Sequence, residues 1–479
     1  MQKTKCYLAA LVSGVLLVTG ILAGYGQSKK NDHLTVYLWE NRLMKNIVPY
    51  IHEQFPDQDI EFIIGNNDTD LYSYFKEHGE LPDIMTVRRF SGTDAQDLQP
   101  YLMDFASYDV VSKYYSYAVE YYKDTDDEIQ WLPICAIPQT IIANKTLFDQ
   151  YGIKVPENYE EYVQVCQQFY DKGIKPYSMD LAEDWSNQEI IQAAAIGEFT
   201  SLDGIDWRNK AETSAGEIKF DDVLWKRIFS ETSQFLKDSH FSKEDINVNI
   251  NTGTQMFVEG KSAMFHGQPT DMQKLQDQMD AELIRIPYFS QTSDSSFVYM
   301  FPSLNIAFNK ELEKNQEKLD TALDVLDCMI SEQGQKLIAD GSGVISLNTD
   351  VSSMMQNVPG LEEEIKDTSI YIRYSAQKSF DASLEAVHGL LSGKMDEMQA
   401  YNAFRSEMNS KDSKEKSTVN FENEYSILLT DTTKSILKKI NPKCAVEQIG
   451  DTTLSSAWIA AMSNGQQPSA PEDYIEVEK

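Results

Sequence analysis

Two hydrophobic periods alternate along the first part of the chain. Leu34-Thr-Val-Tyr-Leu-Trp39 is rich in β-branched and aromatic residues and predicts a strand. Met44, Ile47, Val48, Ile51 and Phe55 then recur at helical spacing, and Ile60-Glu-Phe-Ile-Ile64 predicts a second strand. A second helical stretch, Leu71–His78, leads through Gly79 and Pro82 into a third strand, Asp83-Ile-Met-Thr-Val87. This order is the doubly wound α/β pattern with a parallel sheet, in which ligands sit beyond the carboxyl ends of the strands. Trp39–Arg42 and Val87–Phe90 therefore fall at one candidate site.

Further on, Trp131–Lys145 is extended and apolar, and its prolines disfavour a helix interior. Helical spacing returns over Tyr159–Lys172, and residues 186–240 read as mostly helical. Gly260–His266 and Phe297–Phe308 read as strands. A regular helix is predicted from about Glu313 to Ser331, with Leu319, Leu323, Leu326 and Ile330 on one face. Helices are expected to dominate from 360 onward, and the polar, Pro-containing segment 466–479 to be a loose tail.

Composition narrows the class. At 479 residues, two or three domains are expected, and 42% hydrophobic residues support packed cores. With 42 basic against 75 acidic side chains, the net charge of −33 argues against nucleic acid as a partner, since phosphate binding needs clustered cations. Lys3 and Lys5 precede the uncharged, mostly apolar run Tyr7–Gly24, so residues 1–26 read as a signal peptide or an N-terminal anchor. The junction Leu22-Ala-Gly-Tyr-Gly-Gln27 looks like a bacterial lipoprotein box with Tyr25 where the lipidated Cys would stand. A cut near Gly26 and a retained tether both stay open. Beyond Cys6, the chain has Cys135, Cys166, Cys328 and Cys444 with no CxxC or Cys/His spacing, so no zinc site is expected. Disulfides are permitted in an exported chain, but Cys166 and Cys328 fall in apolar helical patterns, where buried free thiols are the plainer reading.

Several short motifs resemble one family. Leu81-Pro-Asp-Ile84 is similar to its entry to the third strand. Leu132-Pro133, Ile141-Ile-Ala-Asn-Lys145, Phe148, Tyr151-Gly152, Pro156 and Tyr159-Glu-Glu161 follow its middle run in order. Gly260-Lys-Ser-Ala-Met264 and Ile330-Ser-Glu-Gln-Gly334 resemble a later strand and helix end. Together these cover about residues 33–395 and resemble bacterial extracellular solute-binding protein family 1, the carbohydrate-binding family of maltose-binding protein. The resemblance implies an α/β, two-lobed periplasmic-binding-protein-like fold of type II, each lobe a sheet flanked by helices. It places lobe 1 at 33–134 plus about 302–345, and lobe 2 at 135–301 plus about 346–465. The hinge crossings fall near Pro133–Ile142 and Phe297–Asn305, with the ligand between the lobes.

A sugar cleft combines aromatic faces for the ring with planar donors and acceptors for the hydroxyls. Trp39, Asn41 and Arg42 end the first strand, although Trp39 can equally be core and Asn41 a helix cap. Arg88 follows the third strand. In the cleft it would chelate a hydroxyl pair or a carboxylate, which would suit an acidic sugar; otherwise it is a surface cation. Glu183 and Trp185 match where the family sets an acid and an aromatic against the sugar, the alternative being a loop acid and a packed ring. Gln268 and Asp271 follow the later strand, where the family's usual Trp is missing. Tyr299 floors the cleft or packs the hinge, and Phe380 offers a late-helix ring or fills core. Trp207, Trp225 and Trp458 are expected outside the cleft, while Trp131 is undecided.

No catalytic-triad elbow, phosphate loop or metal motif occurs, so neither an enzyme nor a cofactor is expected. The expected function is an exported, monomeric binding protein, released or tethered at the cell surface, that captures a sugar or small oligosaccharide and delivers it to the permease subunits of an ABC transporter. The alternative is a ligand-binding subunit of a membrane sensor kinase system.

Overall fold

The computed structural model describes residues 33–410 except 39–45, most of 65–97 (76, 79 and 81–86 are described), 125, 214–217, 340–342 and several positions between 350 and 376; three short strands are described further on. β1 (Leu34–Leu38), β2 (Ile60–Ile64) and β3 (Ile84–Thr86) lie side by side, β1 parallel to both neighbours. Helix Ile47–Gln54 buries Ile47 and Ile51, two positions of its predicted apolar face. Burial runs almost unbroken along β1 and β3, as it does in parallel strands covered by helices.

β4 (Leu132–Asn144), β5 (Lys175–Ser178), β6 (Ser262–Gly267), β7 (Leu283–Ile286), β8 (Tyr288–Phe289), β9 (Ser296–Phe308) and β10 (Ser369–Ile372) complete a ten-stranded sheet with the main path β2-β1-β3-β9-β4-β6-β5. β4 and β9 serve both halves. Leu132–Gln139 pairs antiparallel with Tyr299–Ile306, after which β4 pairs with β6 and β7, while the other end of β9 pairs with β3. Pro133 sits beside register shifts on either side of Cys135, the irregular pairing in which a missing N–H is tolerated.

The apolar side chains divide into two large clusters. One gathers residues from 34 to 136 with Val298, Met300, Leu304–Leu361 and Ile372. The other gathers residues from Ile141 to Tyr299 with Tyr371, Tyr374 and residues on to Met408. Each is the core of one lobe, and β4, β9 and β10 carry the chain between them. β10 is a short strand in the stretch where helices are expected to dominate. Its Ser-Ile-Tyr-Ile is too short to show a period, and it is fixed by parallel pairing with Phe297–Met300. Leu347, Val351, Val358 and Leu361 pack in the first core, and Tyr371 and Tyr374 in the second. Helices Gln377–Leu391 and Glu397–Met408 follow as expected. Beyond them, β11 (Ile427–Leu428), β12 (Thr452–Leu454) and β13 (Ile475–Val477) form a separate antiparallel sheet, with β13 inside the segment expected to be loose.

Trp207 and Trp225 pack in the second core and Trp131 in the first. Cys135 and Cys166 are buried and Cys328 is partly buried, and Cys166 and Cys328 are free thiols. Burial pushes the Cys166 thiol up to about 12, which keeps it unreactive. Cys444 and residues 1–32 lie outside the described residues.

One ion pair links the two halves beside the crossing. Arg285 on β7 donates from Nε to Glu364 Oε2 at 2.7 Å, and the side chains are 2% and 5% exposed. Arg285 Nη1 and Glu364 Oε1 have no partner among the described residues.

A second buried carboxyl gives a pH test. Glu231, on helix Asp222–Asp238, is pushed up to about 8 by burial and by the neighbouring Glu198 carboxylate. Its protonated form is favoured in the fold, so its contribution is full below about pH 4.5 and is lost as pH rises toward about 8. Glu231→Gln, neutral throughout, is expected to melt about 2–4 °C above wild type at pH 8.5 and alongside it at pH 4.5. Equal midpoints at both pH values would refute this role of the Glu231 carboxyl.

Candidate functional site

Strand register locates the ligand edge. β6 runs from Ser262 toward Gly267, which lies opposite Thr140 in the middle of the long crossing strand, and β5 is parallel to β6. From the other lobe, β3 runs toward Thr86 opposite Ile306, and β1 is parallel to β3. The carboxyl ends of both parallel sets thus converge on the crossing of β4 and β9, where α/β sheets place their ligands. At its centre Ile137 pairs with Phe301, and both are partly exposed between buried neighbours. Gln139 and Tyr299, two residues on, share their face of the sheet.

The wall on the second lobe begins with the turn 179–183 after β5. Glu183 occupies the N-cap position of helix Asp184–Ala194, and Asp184 Oδ1 accepts the Trp185 N–H at 2.7 Å. Trp185 is partly exposed and belongs to neither core. Glu189 stands one turn further along the same helix face. It is almost fully buried, and accepts from Gln139 Nε2 (3.1 Å), His266 Nε2 (2.7 Å) and Arg373 Nη1. Burial opposes its charge, but the Arg373 guanidinium, with help from His266 and Gln139, more than offsets this and holds the carboxyl below its usual range. His266 Nδ1 lies 2.7 Å from the Tyr288 hydroxyl, so the ring is held at both nitrogens. Gln188 and Gln192 tie the same helix to Tyr374 O, and Tyr371 donates to Gln192 Oε1 at 2.6 Å.

The expected ligand residues separate into three sets. Trp39, Asn41, Arg42 and Arg88 lie outside the described residues. Glu183, Trp185 and Phe380 lie on two helices that pack against each other. Phe380 is partly exposed on helix 377–391 and absent from both cores. Its neighbour Ser379 accepts from Gln188, and Asp381 lies near enough to help burial raise Asp184. Gln268, Asp271 and Tyr299 have structural duties. Asp271 accepts the Gln268 N–H at 2.9 Å and so caps helix Pro269–Gln278, while Tyr299 is fully buried between Tyr288 and Tyr371 in the hinge packing.

Sequence reasoning missed Gln139, Asp180, Glu189, His266 and Arg373. A signal existed for two: His266 ends the apolar Ala-Met-Phe run of β6, and Arg373 ends Ser-Ile-Tyr-Ile. A charged or titratable residue closing a buried strand is costly to bury alone and implies a partner. Asp180, at the end of β5, is pushed up to about 6 by burial and accepts from Ser186 Oγ at 3.3 Å. Among the described residues no group of three His, Cys, Asp or Glu could hold a metal ion, and no helix is long and apolar enough to cross a membrane.

Two cores joined by shared strands, with the ligand edges of both facing the joint, define a two-lobed α/β binding protein. The chain belongs to the family of bacterial extracellular solute-binding proteins, whose model matches residues 76–366. It is 24% identical over 202 residues to a multiple sugar-binding protein of Streptococcus mutans, an alignment covering 38% of this chain and 47% of that protein. The chain thus spans about half the length of this curated relative. Among solved structures, a family 1 extracellular solute-binding protein from Bifidobacterium longum subsp. infantis superposes with a TM-score of 0.64 at 15% identity, covering 79% of this chain and 99% of that one. A sugar transporter from Bacillus licheniformis in complex with stachyose superposes at 0.53 and 14% identity, over 78% and 99%. At these identities the structures establish a shared fold.

Proposed function

We propose that this protein captures a sugar or small oligosaccharide between its lobes and delivers it to an ABC permease, with no chemistry on the ligand. The observation that carries the reading is the crossing itself. The ligand edges of both lobes meet over Phe301, with Trp185 on the adjoining helix and Glu183, Asp184 and Arg373 supplying polar atoms. Aromatic faces beside fixed hydrogen-bonding groups suit a sugar ring. The names of the Streptococcus and Bacillus relatives point the same way. Ligand would favour the closed arrangement through contacts made to both lobes at once.

Calorimetric titration of the mature chain with a panel of oligosaccharides tests this. Trp185→Ala is expected to weaken the best ligand by about 5- to 30-fold, the equivalent of about 1–2 kcal/mol of lost ring contact. Unchanged affinity would remove Trp185 from the site. Binding of amino acids or peptides alone would overturn the sugar reading.

A further inference from the structure

Arg373 is anchored on three sides and open on the fourth. Its backbone N–H donates to Met300 O at 2.9 Å, and its carbonyl accepts from the hydroxyl of Tyr121, a residue of the first lobe. Its guanidinium lies over the Phe301 ring, with Cζ 4.3 Å from the centroid, while Nη1 is bound to Glu189. Nε is buried without a partner, and 13% of the side chain remains exposed. Nη2 has no hydrogen-bond partner among the described residues and is not among the buried atoms. A donor group is therefore held rigid at the partly exposed centre of the crossing, where binding would order nothing further.

The charge of that donor is already matched. Glu189 is ionised and in contact with it, and His266 and Gln139 complete the carboxylate's hydrogen bonds. Asp180, a further carboxyl at the end of β5, adds nothing that would attract an anion. A guanidinium so paired keeps its hydrogen-bonding capacity but presents little net field to an incoming ligand.

We infer that Arg373 is a specificity-determining residue: Nη2 donates to a hydroxyl of an uncharged sugar, and Glu189, by cancelling the charge, makes the cleft refuse a sugar that carries a carboxylate. The inference rests on the sugar-capture reading and adds to it the class of sugar and the residues that select it. Arg88 raised the possibility of an acidic ligand from sequence; the paired Arg373 argues for a neutral one.

Calorimetry with neutral di-, tri- and tetrasaccharides and with galacturonate oligomers of equal length is the test. Wild type is expected to bind a neutral sugar and no uronate. Arg373→Gln should lose about 10- to 100-fold in neutral-sugar affinity, the scale of a charge-assisted hydrogen bond. Because that change strands a buried carboxylate, the double variant Glu189→Gln/Arg373→Gln is measured beside it; it should fold, melt near wild type and show the same loss. Glu189→Gln alone frees the positive charge and should shift selectivity toward the uronate, a change that a purely structural role would not produce. If the double variant keeps neutral-sugar affinity within about twofold while Trp185→Ala loses it, Arg373 does not read the ligand and sugar capture stands. Preference of wild type for the uronate likewise overturns the inference. Binding of no sugar at all overturns both readings.

Discussion

Trp225→Ala is expected to cost about 3–5 kcal/mol of stability, at the upper end for a single substitution. Trp225 is completely buried, stacked on Phe404 at 4.8 Å between ring centroids and met edge-on by Trp207 at 4.5 Å, with Phe220 at 5.0 Å. These rings come from helices 202–213, 222–238 and 397–408 and from Phe220 just ahead of the second, so the indole holds late chain against early chain. Rigid rings cannot collapse into the space left by an indole as aliphatic side chains partly can, and the cavity persists. Urea denaturation followed by circular dichroism measures the loss. A change below about 1 kcal/mol would mean that the surrounding rings repack into the vacated volume and that their rigidity does not keep the cavity open.

Glu364→Leu should be comparably damaging, by about 3–5 kcal/mol, for a different reason. It leaves Arg285 charged at 2% exposure, with Pro138 O, at 3.5 Å from Nη2, as its remaining hydrogen-bond partner. Burial raises the Glu364 carboxyl and Arg285 pulls it back only in part, so the pair is not strongly stabilising as it stands. The companion Arg285→Met/Glu364→Leu variant is therefore expected near wild-type stability or above it. A double variant as unstable as the single one would show that the pair supplies something beyond mutual neutralisation. Because the pair sits where the lobes meet, small-angle scattering of the ligand-free double variant also reports whether it sets the angle between them.

Local periodicity carried most of the fold. The strand–helix alternation of 34–87 is a property of neighbouring residues, and β1, β2 and β3 fall where it places them. The prolines of 131–145 excluded a helix and left only an extended crossing. Parts decided by distant partners were not legible. β10 has four residues and gains its identity from β9, and the return to the second core depends on where Val358 and Leu361 find apolar neighbours. The site divides in the same way. Glu183 and Trp185 stood out as candidates because they follow a strand in a recognisable run. Glu189 sits mid-helix among Gln, Ile and Ala, where a surface acid looks the same, and only the convergence of Gln139, His266 and Arg373, from three separate segments, shows that it is buried. Gln268 and Asp271 show the converse ambiguity: an amide and an acid three residues apart after a strand fit a helix start as well as a ligand site.

The division of each core among distant stretches of chain also governs when the protein can fold. The first cluster needs residues from Leu34 to Ile372, and the second needs residues from Ile141 to Met408. During synthesis neither lobe can close until most of the polypeptide exists, which at 5–20 residues per second takes roughly 20–80 s. For that interval the chain has long-range contacts still to make and little local structure able to stand alone. A translocation machine that threads unfolded polypeptides would meet a slow-folding client, and the interleaved lobes would give the secretory route time to act before the cleft exists.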